Sequence, residues 1–363
     1  MINPDKIVKL MKFDYCEPLE FIAALTMAAK VESMNELAQE LKFPPEPQFT
    51  EMLEDVISRL SRHVKEELAR FFGRTLTYDR LDAVLSQVFY DDDKVETVEA
   101  WMECYNKRQP GELAAMLVEA VYASSGPDWR GGFSFEEVCQ DSALLYRLVA
   151  AVPLPDGELH AELMDHARFP GEFKQRTQML LDSFFRHGFL VLRKRLRELG
   201  EEGAARYDVY FHEHPEKAFG EIANSGKELI VKDTRVHISY ISQVRVDFRH
   251  FEGVSRLDWM VLGYRNDALA SQREEKEAIE QFLKVISDKR RLEIIELLKQ
   301  SNRYAGELAQ LLMLTPAAIN YHTNLLIDLN LIRITRMDSR IYYVLDTERL
   351  AALMDQTKSL LLR

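Results

Sequence analysis

Apolar residues that recur every three or four positions dominate the first two hundred residues and predict helices. In segment 49–72, for example, Phe49, Leu53 and Val56 fall on one side of a helix. The same spacing predicts helices over 16–42, 76–90, 95–105, 111–122, 136–150, 159–165 and 171–199, the last of which ends at Gly200. This part of the chain is therefore expected to be mainly helical.

The pattern changes at about residue 228. Segments 228–232, 235–246 and 257–264 are rich in Val, Ile and Tyr and partly alternate, which predicts three short strands. The polar stretch 265–274 has the composition of a linker, so we place a domain boundary there. We expect a mostly helical domain over 1–270 that contains a small β-sheet, and a second domain over 274–363.

The clearest pair of helices lies near the C-terminus. Apolar periodicity predicts helices over 304–312 and 316–329, and only residues 313–315 lie between them. Thr315 is a typical N-cap residue, and Pro316 suits the first helical position because its missing N–H needs no partner there. Two helices joined by so tight a turn form a helix-turn-helix.

A β-hairpin and a last helix are predicted after this pair. Strands over 331–337 and 340–345 meet at a tip formed by Asp338 and Ser339, and a final helix covers 347–361. A hairpin in this position is the wing of a winged helix-turn-helix. The expected fold class is therefore mainly α, with a large helical N-terminal domain that contains a small β-sheet and a C-terminal winged helix-turn-helix.

The second helix of the pair has an inward and an outward face. Ile319, Thr323 and Leu326 share the inward face and are expected to pack on other helices. Small and uncharged polar groups dominate the other side and suit close approach to base edges: Ala317, Ala318, Asn320, Tyr321 and Asn324, together with Asp328. We expect Asn324 to bond adenine and Tyr321 to reach a base edge or a phosphate, with an ordinary solvated face as the alternative.

The ordered motifs of the C-terminal domain resemble the ArsR-type family of winged helix-turn-helix regulators. They are Leu283-x-x-x-Ser287-Asp288-x-x-Arg291-Leu292, Glu307-Leu308-Ala309, Thr315-Pro316-Ala317-Ala318-Ile319-Asn320-Tyr321-His322, Asn330-Leu331-Ile332 and Arg340-x-Tyr342-Tyr343-x-Leu345. The resemblance implies a transcriptional regulator that binds double-stranded DNA as a homodimer, with repression expected over activation. In this family the helices that flank the winged motif, here 274–286 and 347–361, form the dimer contact, and a histidine, here His322, lies near the DNA backbone.

Arginines on the predicted hairpin complete the expected DNA-binding surface. We expect Arg340, at the tip of the wing, and Arg336, across the hairpin from it, to lie over phosphates or in the minor groove, with ordinary exposed arginines as the alternative. The candidate DNA-binding residues are therefore Thr315, Pro316, Ala317, Ala318, Asn320, Tyr321, His322, Asn324, Arg336 and Arg340.

Charge is unevenly distributed along the chain. The formal net charge is −12, yet residues 274–363 hold 13 Lys and Arg against 13 Asp and Glu, so the whole acidic excess lies in 1–273. Because phosphates attract cations, an acidic body opposes non-specific DNA binding while a local basic edge still allows it. Composition thus permits DNA binding without indicating it.

Signatures of catalysis and of metal sensing are missing from the sequence. We find no GxSxG, HExxH, GxxxxGK[ST] or strand-linked GxGxxG, so we do not expect an enzyme. Metal-sensing ArsR-type members carry a Cys-x-Cys pair before the second helix, whereas 303–313 holds neither Cys nor His, and we expect no metal and no cofactor. Three dispersed cysteines, Cys16, Cys104 and Cys139, favour a reducing cytoplasm, and no membrane segment is expected.

The size of the N-terminal domain suggests a second role. It is larger than DNA binding of this type requires and large enough for a ligand pocket, so we expect a small-molecule effector there. Two alternatives stay open at this point. One is an enzyme with an auxiliary winged helix, and the other is a winged helix that serves protein interaction.

Overall fold

The computed structural model describes residues 4–41, 43–72, 80–92, 94–125, 128–223, 228–252, 256–271, 275–337 and 340–362. Helices make up most of these residues, so the predicted mainly α fold class is confirmed. The helices are α1 Pro4–Val8, α2 Glu17–Ala29, α3 Val31–Leu41, α4 Pro47–Arg59, α5 Arg62–Phe72, α6 Leu81–Asp91, α7 Val98–Lys107, α8 Pro110–Ser125, α9 Phe135–Gln140, α10 Ser142–Ala151, α11 Gly157–Arg168, α12 Pro170–Phe184, α13 Leu190–Glu213, α14 Pro215–Lys217, α15 Asn266–Ser271, α16 Glu275–Ile286, α17 Lys289–Gln300, α18 Ala305–Leu312, α19 Pro316–Asp328 and α20 Thr347–Leu361. The strands are β1 Met11–Asp14, β2 Thr234–Ser239, β3 Val246–Arg249, β4 Asp258–Gly263, β5 Ile332–Met337 and β6 Arg340–Leu345.

The chain forms two compact units. The first unit comprises Met1–Tyr15 and Glu198–Arg363, and the second unit comprises Cys16–Arg197. The boundary that the sequence suggested at 265–274 lies within the first unit, and the division into 1–270 and 274–363 stays a prediction. Within the described residues, every helix is too short or too polar to cross a lipid bilayer.

Aromatic side chains fill the centre of the second unit. The fully buried ring of Phe21 on α2 has four aromatic neighbours at centroid distances of 5.2 to 6.0 Å, namely Trp101, Phe184, Phe185 and Phe189. Such edge-to-face contacts add to the free energy gained by burying the rings. These aromatic side chains therefore form a buried core between the helices of the second unit.

The N-terminus of α2 carries a buried carboxylate with arginine partners. Glu17 accepts bonds from Arg193 at 2.6 and 3.0 Å, from Arg197 at 2.7 Å and from the Val98 N–H at 3.2 Å. Burial alone would raise the pKa of Glu17, but the arginines outweigh it and hold that pKa below its ordinary value. This carboxylate therefore ties α2 to α13 and to the start of α7.

Two helix boundaries differ from the prediction for reasons of packing. The helix expected over 16–42 is broken at Lys30, whose side chain is buried against Asp82. The helix expected to end at Gly200 continues to Glu213. Gly200 lies within the helix, where it allows close packing and does not end the helix. A Cβ at Gly200 would overlap the ring of Tyr15, and one at Gly203 would lie 2.8 Å from Ile238 and from Tyr264.

The sheet of the first unit has the order β1-β2-β4-β3, in which β1, β2 and β4 are parallel and β3 is antiparallel to β4. The strand expected over 257–264 is confirmed as β4. The strand expected over 235–246 is confirmed only in its first part, as β2, because the chain turns after Ser239, with Gln243 at a φ of 49°, and β3 begins at Val246. The strand expected over 228–232 is wrong, since Lys232 instead donates to the Phe251 carbonyl at 2.6 Å and no strand forms there.

A buried histidine gives the second unit a predicted pH dependence. The His166 ring lies 4.8 Å from Phe173 and 5.7 Å from Phe71, and burial, aided by Arg176, lowers its pKa to about 4. Because the unfolded chain binds this proton below about pH 6.5 and the folded unit does not, stability is full above that pH and falls towards pH 4. We expect a loss of about 2–3 kcal/mol in the free energy of unfolding across this window.

Urea unfolding of the wild type and of His166→Leu at several pH values checks this expectation. The variant should lack the part of the pH dependence that His166 contributes, so the two curves should diverge as the pH falls from 6.5 to 4. Parallel curves would show that His166 does not resist protonation in the folded state.

Candidate nucleic-acid interface

Helices α16 to α20 and the hairpin β5–β6 share one apolar cluster. Its buried members include Phe282, Ile294, Leu298, Leu308, Ile319, Leu326, Leu331, Tyr343 and Leu353. The three positions predicted to face inward on α19, Ile319, Thr323 and Leu326, are fully buried. The inward face inferred from helical periodicity is therefore confirmed.

The turn between α18 and α19 is fixed by its own hydrogen bonds. Met313 adopts the left-handed conformation at a φ of 53°, and the Leu314 N–H donates to the Ala309 carbonyl at 3.0 Å, which ends α18. Thr315 Oγ1 accepts the Ala318 N–H at 3.2 Å, and Pro316 follows as the first helical residue. The predicted N-cap is confirmed, and it sets the direction in which α19 begins.

The outward face of α19 is polar and nearly free of charge. Tyr321 is 47% exposed and Asn324 is exposed, while Ala317 and Ala318 are half-buried beside them. The only ionisable carboxylate of α19 is that of Asp328, at its C-terminal end. Small and neutral polar groups can approach base edges without the cost of stripping water from a charge.

Asn320 lies partly behind this face and contacts the wing. Its Oδ1 accepts a hydrogen bond from the hydroxyl of Tyr343 at 3.3 Å. The backbone of Tyr343 is itself paired with Arg303 in both directions, at 3.2 and 2.7 Å, so a single β-bridge joins the segment before α18 to the hairpin. Tyr343 is not among the predicted site residues, although its alternation with Arg340-x-Tyr342 already places it on the inner side of β6.

His322 faces α17 rather than open solvent. Its Nδ1 lies 3.7 Å from Oδ1 of Asp288, and that carboxylate caps α17 by accepting the Arg291 N–H at 3.1 Å. Burial lowers the pKa of His322, against an opposing effect of Asp288 and with help from Arg291 and Arg290. The imidazole thus lies between α17 and α19, and its expected place near the DNA backbone stays a prediction.

The register of the wing separates its two arginines. Arg336 is paired with Ile341, and Met337 with Arg340. Because directly paired residues share a face of an antiparallel hairpin, Arg336 and Arg340 lie on opposite faces. The two arginines expected across the hairpin from each other therefore do not form one basic pair, and the expected tip, Asp338 and Ser339, lies outside the described residues.

Arg340 is held in place by aromatic rings. Its Cζ lies 5.0 Å from the centre of the Tyr304 ring, and that ring is in edge contact with Tyr342 at 5.7 Å. A guanidinium stacked on an aromatic face loses less conformational freedom when it binds a phosphate. Arg340 is exposed, so its charge is available at the surface of the wing.

Comparison with known proteins places this segment in a family. Residues 288–333, from the cap of α17 into β5, match the family model described as bacterial regulatory protein, arsR family. The segment is an ArsR-family helix-turn-helix domain. The resemblance inferred from the motifs is thereby confirmed. No curated protein and no solved structure matches the chain.

The ArsR-family domain supports a DNA-binding transcriptional regulator with a large N-terminal region. Across the described part of the chain, no three side chains of His, Cys, Asp or Glu gather in an arrangement that could hold a metal ion. The expectation that the protein uses no metal and no cofactor stays a prediction.

Proposed function

We propose that the protein binds a specific duplex operator with α19 in the major groove and the β5–β6 wing on the adjacent backbone. The observations that carry this proposal are the neutral, exposed face around Tyr321 and Asn324 and, on the wing, the stacked guanidinium of Arg340. Neutral amide and ring groups recognise base edges, whereas a cation held in place binds phosphate. In this proposal the α19 face provides sequence specificity and Arg340 provides affinity. In this proposal the chain is a cytoplasmic repressor and not an enzyme.

We also propose that two copies bind together. Helices α16 and α20 leave apolar side chains at the surface, with Leu283 37%, Met354 51% and Leu361 66% exposed. A second copy would cover these side chains and place two α19 helices about 34–36 Å apart, one turn of DNA. Sedimentation of the full chain should then give a dimer, and Met354→Glu should shift it towards monomer.

We further propose that the N-terminal region controls DNA binding through a small-molecule ligand. Support comes from its size and from the separate core of the second unit, which DNA binding does not need. Operator affinity measured with and without fractionated cell metabolites tests this idea. An affinity that no fraction changes would count against ligand control.

A salt series separates the regulator from its rivals. The full chain is titrated against the DNA upstream of its own coding region and against a scrambled duplex at several salt concentrations. A steep negative slope of log affinity on log salt, together with a preference for the upstream DNA, supports the proposal. A protein-interaction module or an enzyme with an auxiliary winged helix should show neither.

Arg340→Ala is expected to weaken binding to all sequences alike. The variant removes one cation, so the slope of log affinity on log salt should fall by about one unit while the ranking of sequences stays the same. Arg340→Lys is the matched control, since it keeps the charge and loses the planar contact with Tyr304. A changed sequence ranking in Arg340→Ala would mean that this residue contacts bases.

A further inference from the structure

Two asparagines on α19 lie one helical turn apart and differ in their surroundings. Asn320 contacts the wing through its Oδ1, whereas Asn324 is exposed and, among the described residues, makes no side-chain hydrogen bond. An unbound asparagine amide can offer its oxygen and its nitrogen together to adenine N6 and N7. Only Asn324 has both atoms available for that pairing.

The hydroxyl of Tyr343 determines which atoms Asn320 can offer. Tyr343 is 8% exposed, and its backbone pairing with Arg303 fixes the position of the ring. Burial raises the pKa of Tyr343, so the hydroxyl keeps its proton and acts as a donor. The hydroxyl of Tyr343 donates to Asn320 Oδ1 at 3.3 Å and also contacts the hydroxyl of Thr323. Thr323 donates its own proton to the Ile319 carbonyl at 2.9 Å.

We propose that Tyr343 holds the Asn320 amide with its oxygen towards the wing and its NH₂ group towards DNA, so that Asn320 selects a base edge that offers only acceptors. Guanine, with N7 and O6, is the base that fits best, and thymine O4 shares the chemistry. Adenine is disfavoured because Asn320 Oδ1, the acceptor that its N6 donor needs, is turned towards the wing. This inference rests on the proposed placement of α19 in the major groove.

The two amides together predict a short pattern in the operator. One helical turn advances 5.4 Å and one base step 3.4 Å, so Asn320 and Asn324 reach positions roughly one or two base pairs apart. The operator should therefore carry a guanine or a thymine at one position and an adenine at the other. Tyr343 acts on this pattern through Asn320 and is a positioning residue.

Selection from a randomised duplex library, followed by sequencing, tests the inference with the full chain. The wild type should enrich guanine or thymine at the position that Asn320→Ala makes indifferent. Tyr343→Phe keeps the ring and the backbone pairing but frees the amide, so adenine should gain about fivefold at that position alone. The position that Asn324→Ala makes indifferent should not change in Tyr343→Phe. Thermal unfolding of each variant confirms that it is folded.

Asn320→Asp tests the inference about Asn320 even if Tyr343→Phe does not fold. Its carboxylate still accepts from Tyr343 but has no N–H for DNA, so the preference for guanine or thymine should be lost. Enrichment of cytosine or adenine by the wild type at this position, or an unchanged preference in Asn320→Asp or in folded Tyr343→Phe, overturns the inference. A wild type without any sequence preference would instead refute the proposed function itself.

Discussion

Lys30→Met should lower the free energy of unfolding of the second unit by about 3–5 kcal/mol. The Lys30 ammonium lies 2.7 Å from Asp82 Oδ2, and neither side chain is exposed to solvent. Removing the ammonium leaves the Asp82 carboxylate buried without this cationic partner. Burying a charge without its partner costs more free energy than losing the packing contacts of one methylene group. Urea unfolding in a Trp259→Phe background, followed by the fluorescence of Trp101 and Trp129 in the second unit, measures the loss.

A second substitution separates charge from hydrogen bonding. Asp82 Oδ1 accepts the N–H groups of Arg80 at 3.1 Å and Ala83 at 3.0 Å, so this side chain also bonds backbone N–H groups at the start of α6. Asn at position 82 keeps that acceptor and removes the charge. Lys30→Met/Asp82→Asn should therefore recover most of the stability that Lys30→Met loses. A single variant that loses under about 1 kcal/mol, or a double variant no more stable than the single, would contradict this account.

The same ion pair shows where helix prediction from the sequence fails. Local periodicity found α2 and α3 as one helix over 16–42, because their apolar positions continue through Lys30. α2 ends at Lys30, whose ammonium contacts Asp82, 52 residues further along the chain. No local pattern contains such a contact, and for the same reason Gly200 looked like a helix end although it serves packing against Tyr15.

The strands were predicted less well than the helices. β4 was found because it is a continuous apolar run, whereas β1 has only four residues and shows no pattern of its own. β1 exists because it pairs in parallel with β2, from Met11 opposite Thr234 to Asp14 opposite His237. That partner lies more than two hundred residues away in the sequence, so the pairing is a property of the fold and not of the segment.

At the candidate site, the features that depend on neighbouring residues in the sequence were predicted, whereas the contacts between distant segments were not. The cap at Thr315, the short turn and the inward face of α19 follow from neighbouring residues, and all three are confirmed. The contact of Tyr343 with Asn320 and the stacking of Arg340 on Tyr304 depend on how the hairpin packs against the helices. These contacts decide which atoms are available to DNA, so the sequence indicated the interface but not its chemistry.

Tyr321→Ala/Asn324→Ala should remove about 2–5 kcal/mol of the preference for the operator over unrelated DNA. Both side chains are exposed on α19, and neither carries charge, so their contribution depends on the base they face. The affinity for unrelated DNA and its salt dependence should stay the same, because the phosphate contacts are untouched. Competition binding with the selected operator and a scrambled duplex measures the two affinities.

Asn35→Ala, on α3 of the second unit, is the matched control for loss of an amide and should leave both affinities unchanged. The decisive quantity is the ratio of specific to non-specific affinity, since a poorly folded variant loses both together. Equal losses on the two duplexes would mean that α19 contributes general attraction rather than base selection. In that case the neutral face around Tyr321 and Asn324 would be an ordinary solvated surface, and another part of the ArsR-family domain would have to provide specificity.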